Sequence, residues 1–102
     1  MWARIARYEV EPDRIHEATT AFEQATAELR ALPGTSGGYF LIDHESGRAA
    51  TITLWESYDA MCASEVQAAS LRRRAIGAVE GEVQSVDQYE VAVDFSSGVA
   101  GS

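Results

Sequence analysis

Few residues of this 102-residue chain can do chemistry near neutral pH. His16 and His44 are its two imidazoles, the side chains that titrate in that range. His44 has the strand parity of Phe40 and Ile42, which places it to reach a pocket rim as a general base. His16 lies between Arg14 and Glu17 in the first turn of a helix and reads as surface. Trp55 ends an alternating strand and shares a face with Thr51 and Thr53, an indole donor beside two hydroxyls. Arg72-Arg73-Arg74 fan about 100° apart around a helix, so at most one or two of them face inward. Arg73 or Arg74 is the candidate to pair an enolate, a phenolate or a carboxylate. Tyr8 and Tyr39 could donate to the same oxygen. The plain alternative is a solvated arginine face and tyrosines that only fill the sheet. No His, Cys or carboxylate set has metal-ligand spacing, so no metal site is expected.

The elements that must position these groups fit in one domain, taken as residues 1–95, with a disordered tail at 96–102. The net charge is −8, and all eight basic residues are Arg, with no Lys and no Asn. An acidic surface repels phosphate backbones and anionic lipid, so neither nucleic acid nor membrane is an expected partner. Cys62 is alone, which excludes an internal disulfide, agrees with a reducing compartment and reads as a small buried hydrophobe. No apolar run approaches the roughly 20 residues that span a bilayer. Residues 1–7 lack a signal peptide's apolar core, so a cytoplasmic location is expected.

Along the chain, Trp2 to Val10 alternates as a first strand, with Trp2, Tyr8 and Val10 opposite Ala3 and Ile5. Pro12-Asp13 starts a helix, with Asp13 placed to cap it. Ile15, Ala18, Phe22, Ala25, Leu29 and Leu32 form its apolar stripe, and Pro33-Gly34 ends it. Tyr39 to Ile42 is apolar on both faces, and the His44–Arg48 turn makes it a hairpin with Ala49–Glu56. Ser57 caps a short helix through Cys62. Ser64 and Gln67 have capping-box spacing, so a longer helix restarts there and runs to about Val79. Val86 to Phe95 is read as the last strand. If Ile52 and Leu54 turn toward the helices, Trp55 and the threonines line a cavity, and the pattern alone leaves open which sheet face does so.

The order strand, helix, strand, strand, helix, strand predicts an α+β, ferredoxin-like βαββαβ subunit with an antiparallel four-stranded sheet. Two helices cover only one face of such a sheet. Its other face, on the order of 400 Å² from strand spacing and length, is near the apolar limit for a soluble monomer. Packing against a second copy covers it, so a homodimer is expected.

The segment Trp2–Phe95 resembles the antibiotic biosynthesis monooxygenase domain, a family of dimeric α+β barrels with ferredoxin-like subunits. The resemblance lies in Val10-Glu11-Pro12-Asp13, in Leu32-Pro33-Gly34, and above all in Leu54-Trp55-Glu56-Ser57. It implies a pocket between sheet and helices. Some members oxidise phenolic polyketides with O2 and neither metal nor flavin, while others degrade haem. Likeness to the haem-degrading members stops at Trp55, since the chain has no Asn and no His between Ser57 and Gly81. The resemblance therefore implies a cofactor-independent monooxygenase acting on a small aromatic, phenolic substrate. His44, Trp55 and Arg73 would be catalytic, and Tyr8, Tyr39, Thr51, Thr53 and Arg74 would bind substrate, with no cofactor. The alternative is a non-catalytic, small-molecule-binding protein of the same fold.

Overall fold

The computed structural model describes residues 1–95, so the tail expected at 96–102 lies outside the described residues. Four strands form one antiparallel sheet: β1 (Trp2–Glu9), β2 (Thr35–Ile42), β3 (Arg48–Trp55) and β4 (Glu82–Glu90). Their spatial order is β2-β3-β1-β4, the ferredoxin-like arrangement expected from the element order. A 3-10 turn at Pro12–Arg14 leads into α1 (Ile15–Ala31), while α2 (Tyr58–Ala63) and α3 (Glu65–Gly77) lie between β3 and β4. Among the described residues, no helix is long and apolar enough to cross a membrane.

The stripe on α1 buries Ile15, Ala18, Phe22 and Ala25 against the sheet. Phe22 stacks on Phe40 at 4.3 Å between ring centroids and meets Tyr8 at 5.3 Å. Ala6, Ala49, Ile76 and Val79 complete the apolar core at this end of the sheet. Register then fixes which face of β3 turns inward. Ala6 pairs with Thr51, Arg4 with Thr53 and Trp2 with Trp55, so Trp55 and the threonines face the helices.

This settles the facing of β3 that the sequence left open: Ile52 and Leu54 lie on the face that no helix covers. Phe22, Leu71 and Ile76 already bring the bulk to the covered layer, so strand residues opposite them can be small or polar. On the uncovered face Tyr39 is 65%, Leu41 47% and Tyr89 49% exposed.

Several local expectations are corrected. β4 begins at Glu82 and ends at Glu90, earlier than Val86–Phe95, because ladder pairing with β1 carries the polar segment Glu82–Ser85 into the sheet. Asp13 caps nothing, and neither the 3-10 turn nor α1 has a side-chain cap. The Ser64–Gln67 capping box does not form. Ser64 is itself helical (φ −87°, ψ −7°), and its hydroxyl donates to Met61 O at 2.8 Å. Cys62 is exposed rather than buried, while its neighbour Met61 takes the core position. Ser57 does cap α2, accepting from Ala60 N at 3.1 Å.

Gly34 ends the α1 exit at φ 81°, and a Cβ there would collide with that of Ala60. Gly34→Ala is expected to destabilise the protein by more than about 1 kcal/mol in urea unfolding. Gly77 closes α3 with open space around it, so Gly77→Ala is expected to add about 0.5–1 kcal/mol. Opposite signs in that assay support this backbone, and equal effects contradict it.

Candidate functional site

A cleft of about 450 Å³ opens between α1 and the β2–β3 half of the sheet. Phe22, Leu29 and Phe40 make its apolar walls, Gly37 and Gly38 its floor toward the edge, and Thr51 and Thr53 its inner polar side. Deeper in, a chamber of about 30 Å³ shares Phe22, Leu29, Thr51 and Thr53 with the cleft and adds Arg4, Tyr8 and Arg72. That volume holds one small polar group, while the outer cleft has the size of a small-molecule pocket.

The strand period of two delivers Arg4 and Tyr8 to one face of β1, and register sets them beside Thr53 and Ala49. Arg4 is 2% exposed. Its Nη2 donates to Met61 O at 2.8 Å and lies 2.8 Å from Glu65 Oε1. Its guanidinium carbon sits 5.3 Å from the centroid of Trp55, a cation–π contact of about 2 kcal/mol when desolvated. The Nε and Nη1 atoms are buried with no hydrogen-bond partner among the described residues. Each such orphan donor costs about 1–3 kcal/mol, so the fold leaves two expensive groups unsatisfied beside a chamber.

Burial pushes the Arg4 guanidinium below its ordinary range; Glu65 opposes that shift, and the positive charge of Arg72 adds to it. An arginine so placed still keeps its proton. Arg4 is therefore close to one carboxylate and to a second guanidinium.

Tyr8 is 2% exposed, and its hydroxyl lies 2.8 Å from Thr51 Oγ1. Burial raises its pKa above the ordinary phenol value, against smaller opposing effects of the Thr51 hydrogen bond and of Arg72. At neutral pH it is a neutral phenol, able to donate. Trp55 is fully enclosed, and its indole N–H is spent on Thr53 Oγ1 at 3.1 Å. It backs Arg4 and orients Thr53 instead of donating into the cleft.

The structure brings Tyr8, Thr51 and Thr53 together, with Trp55 one layer behind. Tyr39 borders the cleft from β2, yet its register with Ile52 puts it on the uncovered side of the sheet. His44 is exposed on the β2–β3 turn, with its ring centroid 6.1 Å from that of His16, and lines neither chamber nor cleft. Arg73 is exposed on α3, and Arg74 pairs with Glu28 at 3.2 Å across the α1–α3 seam. Burial of Leu71 and Ala75 sets the phase of α3 and turns Arg72 to the chamber in their place.

Arg4 and Arg72 are the site residues that sequence reasoning did not select. Arg4 carried a signal: a charge on the parity of Trp2 and Tyr8 lies on the inward face of a central strand, where charges are rarely buried without partners.

No family model matches the sequence, and no curated protein matches it. Solved structures do, and many of these neighbours are antibiotic biosynthesis monooxygenase domain proteins that cover nearly the whole chain. One described by that family name superposes with a TM-score of 0.65 at 16% identity, covering 91% of this chain and 100% of its own. SnoaB, a cofactor-independent oxygenase from Streptomyces nogalater, gives a TM-score of 0.70 at 16% identity, covering 93% of this chain and 96% of its own. MhuD, a heme-degrader from Mycobacterium tuberculosis with two hemes bound in its active site, gives 0.71 at 22% identity, covering 92% and 98%. At these identities the likeness is one of fold.

The residues present do not fit a haem. Among the described residues, no His, Cys or Met lines the cleft or the chamber. Of the phenols, Tyr8 is held neutral and hydrogen-bonded to Thr51, and Tyr39 stands at the rim, so no axial ligand is in place.

The raised pKa of Tyr8 has a consequence for alkaline stability. A group whose folded pKa is raised contributes stability that is complete below the unfolded value, about 10, and is lost as pH climbs through the folded one. Urea stability is expected to fall above about pH 10, and Tyr8→Phe to remove part of that fall. Identical alkaline profiles for the two proteins would contradict the burial of this phenol.

Proposed function

We propose that the chain is a cofactor-independent, monooxygenase-like protein that uses O2 on a small phenolic aromatic substrate, without metal or flavin. The observation that carries this reading is the cleft itself. Apolar walls of Phe22, Leu29 and Phe40 lead to a neutral phenol, two threonine hydroxyls and the cation of Arg72. Such a cleft accepts a flat apolar body and stabilises negative charge at one end of it. The ionised substrate passes one electron to O2, and the radical and superoxide recombine to a peroxide. Loss of water then leaves one oxygen atom on carbon as a carbonyl, with the substrate's own two hydrogens leaving in that water. Arg72 and Arg4 favour the anion, so a weak base suffices to form it. Glu23, which borders the outer cleft, and solvent are at hand.

With His44 outside the cleft, a second reading gains support: a small-molecule-binding protein of the same fold that performs no turnover. Oxygen uptake by purified protein on anthrone-type and naphthol substrates separates the two. The oxygenase reading expects uptake above buffer, with kcat/KM cut at least tenfold, about 1.4 kcal/mol, by Arg72→Gln. Ligand-dependent thermal stabilisation without uptake would favour the binder.

The same proposal includes a homodimer built on the uncovered sheet face. Ile5, Ile52, Leu54 and Leu41 share that face with Tyr39 and Tyr89, an apolar layer large enough to need a partner. Ile52→Asp is expected to convert a dimer to a monomer in sedimentation at micromolar concentration. A monomeric parent protein would remove this part of the reading.

A further inference from the structure

We propose that Arg4 is a ligand-binding residue, and that the inner chamber is an anion site which recognises one anionic oxygen group on an aromatic ligand. Arg4 is a guanidinium at 2% exposure whose Nε and Nη1 have no partner among the described residues, and it forms part of the chamber wall. The fixed contacts to Met61 O and Glu65 both use Nη2, so the two remaining nitrogens keep their donor capacity. Arg72 lines the same chamber, as do the hydroxyl-bearing Tyr8, Thr51 and Thr53.

The charge count points the same way. Arg4 and Arg72 carry two positive charges against the carboxylate of Glu65, and Arg30 and Glu23 at the outer cleft offset each other, which leaves one positive charge for a ligand to balance. The surrounding protein is acidic, at net −8, so this interior cation is not part of a generally basic surface. The chamber has room for a polar head only, and the apolar cleft behind Thr51 and Thr53 takes the ring system. The ligand class that fits is an aromatic monoanion, with either a carboxylate or an ionised ring oxygen at the guanidinium end.

This inference takes its location from the proposed oxygenase site, but its test does not require turnover. Isothermal titration of the full chain at neutral pH with 2-naphthoate, 2-naphthamide and 2-naphthol measures the preference for charge. Naphthoate is expected to bind at least tenfold tighter than the isosteric amide. Naphthol bound as tightly, with the absorbance of its ionised form, assigns the site to a ring oxyanion and supports the same anion recognition. Equal Kd values for naphthoate and naphthamide would overturn the proposal.

Arg4→Gln is expected to abolish the tenfold preference, and persistence of that preference in a folded variant would also overturn it. Should Arg4→Gln fail to fold, Glu65→Gln decides the matter by removing the competing carboxylate. Naphthoate affinity is then expected to rise at least threefold, and an unchanged or weaker Kd counts against the site. A protein that consumes no oxygen yet keeps the naphthoate preference would refute the oxygenase reading alone.

Discussion

A buried guanidinium on the central strand constrains the surrounding architecture. Arg4 sits in the covered layer of the sheet, where a cation persists only if partners replace its water. Three elements supply them: Met61 O from α2, Glu65 from the start of α3, and the face of Trp55 from β3. The break between α2 and α3 lies at these contacts. Ser64 turns its hydroxyl back onto Met61 O, the carbonyl that Arg4 also uses, and Glu65 opens the next helix. Trp55, held by Thr53, forms the platform beneath the cation. The partners cover part of the guanidinium and leave Nε and Nη1 unsatisfied.

The sheet therefore has two different ends on its covered side. Toward the hairpin, Tyr8, Phe22, Phe40 and Ile76 close into an apolar core. Toward the α2–α3 break Arg4 and Ser64 bring polar groups into the layer beside Trp55 and Met61, and the cleft lies between the two ends. Thr51 and Thr53 keep this space open because their short side chains occupy positions where Ile52 and Leu54 would fill it. A one-residue slip of β3 would exchange those sets, closing the cleft and moving the threonines to the uncovered face.

The legible part of the fold is the part written in periodicity. The α1 stripe, the β2–β3 hairpin and the order of elements follow from spacing, and Ser57 caps where its position says it should. The start of β4 was not legible because Glu82–Ser85 is a polar edge segment recruited by its ladder with β1. Ser64 and Gln67 have capping-box spacing, but the chain arrives there already helical, so no free helix end exists to cap. In the site, strand parity grouped Thr51 and Thr53 with Trp55, but the face they turn to is decided by the register of β3 with β1. Arg72 was separated from Arg73 and Arg74 only by helix phase, which tertiary packing of Leu71 and Ala75 decides. His44 kept the parity of Ile42 on paper, yet the turn after β2 carries it into solvent. Arg4 was obscured by the habit of reading charge as surface.

The spare donors of the Arg4 side chain can be observed directly. In arginine-selective 15N NMR of the folded protein, the Arg4 Nε–H should exchange slowly with water, as a buried group does. Its resonance should move on addition of 2-naphthoate and stay in place with 2-naphthamide. A fast-exchanging Arg4 Nε–H, or one indifferent to naphthoate, would show that the cation is neither buried nor waiting for a ligand.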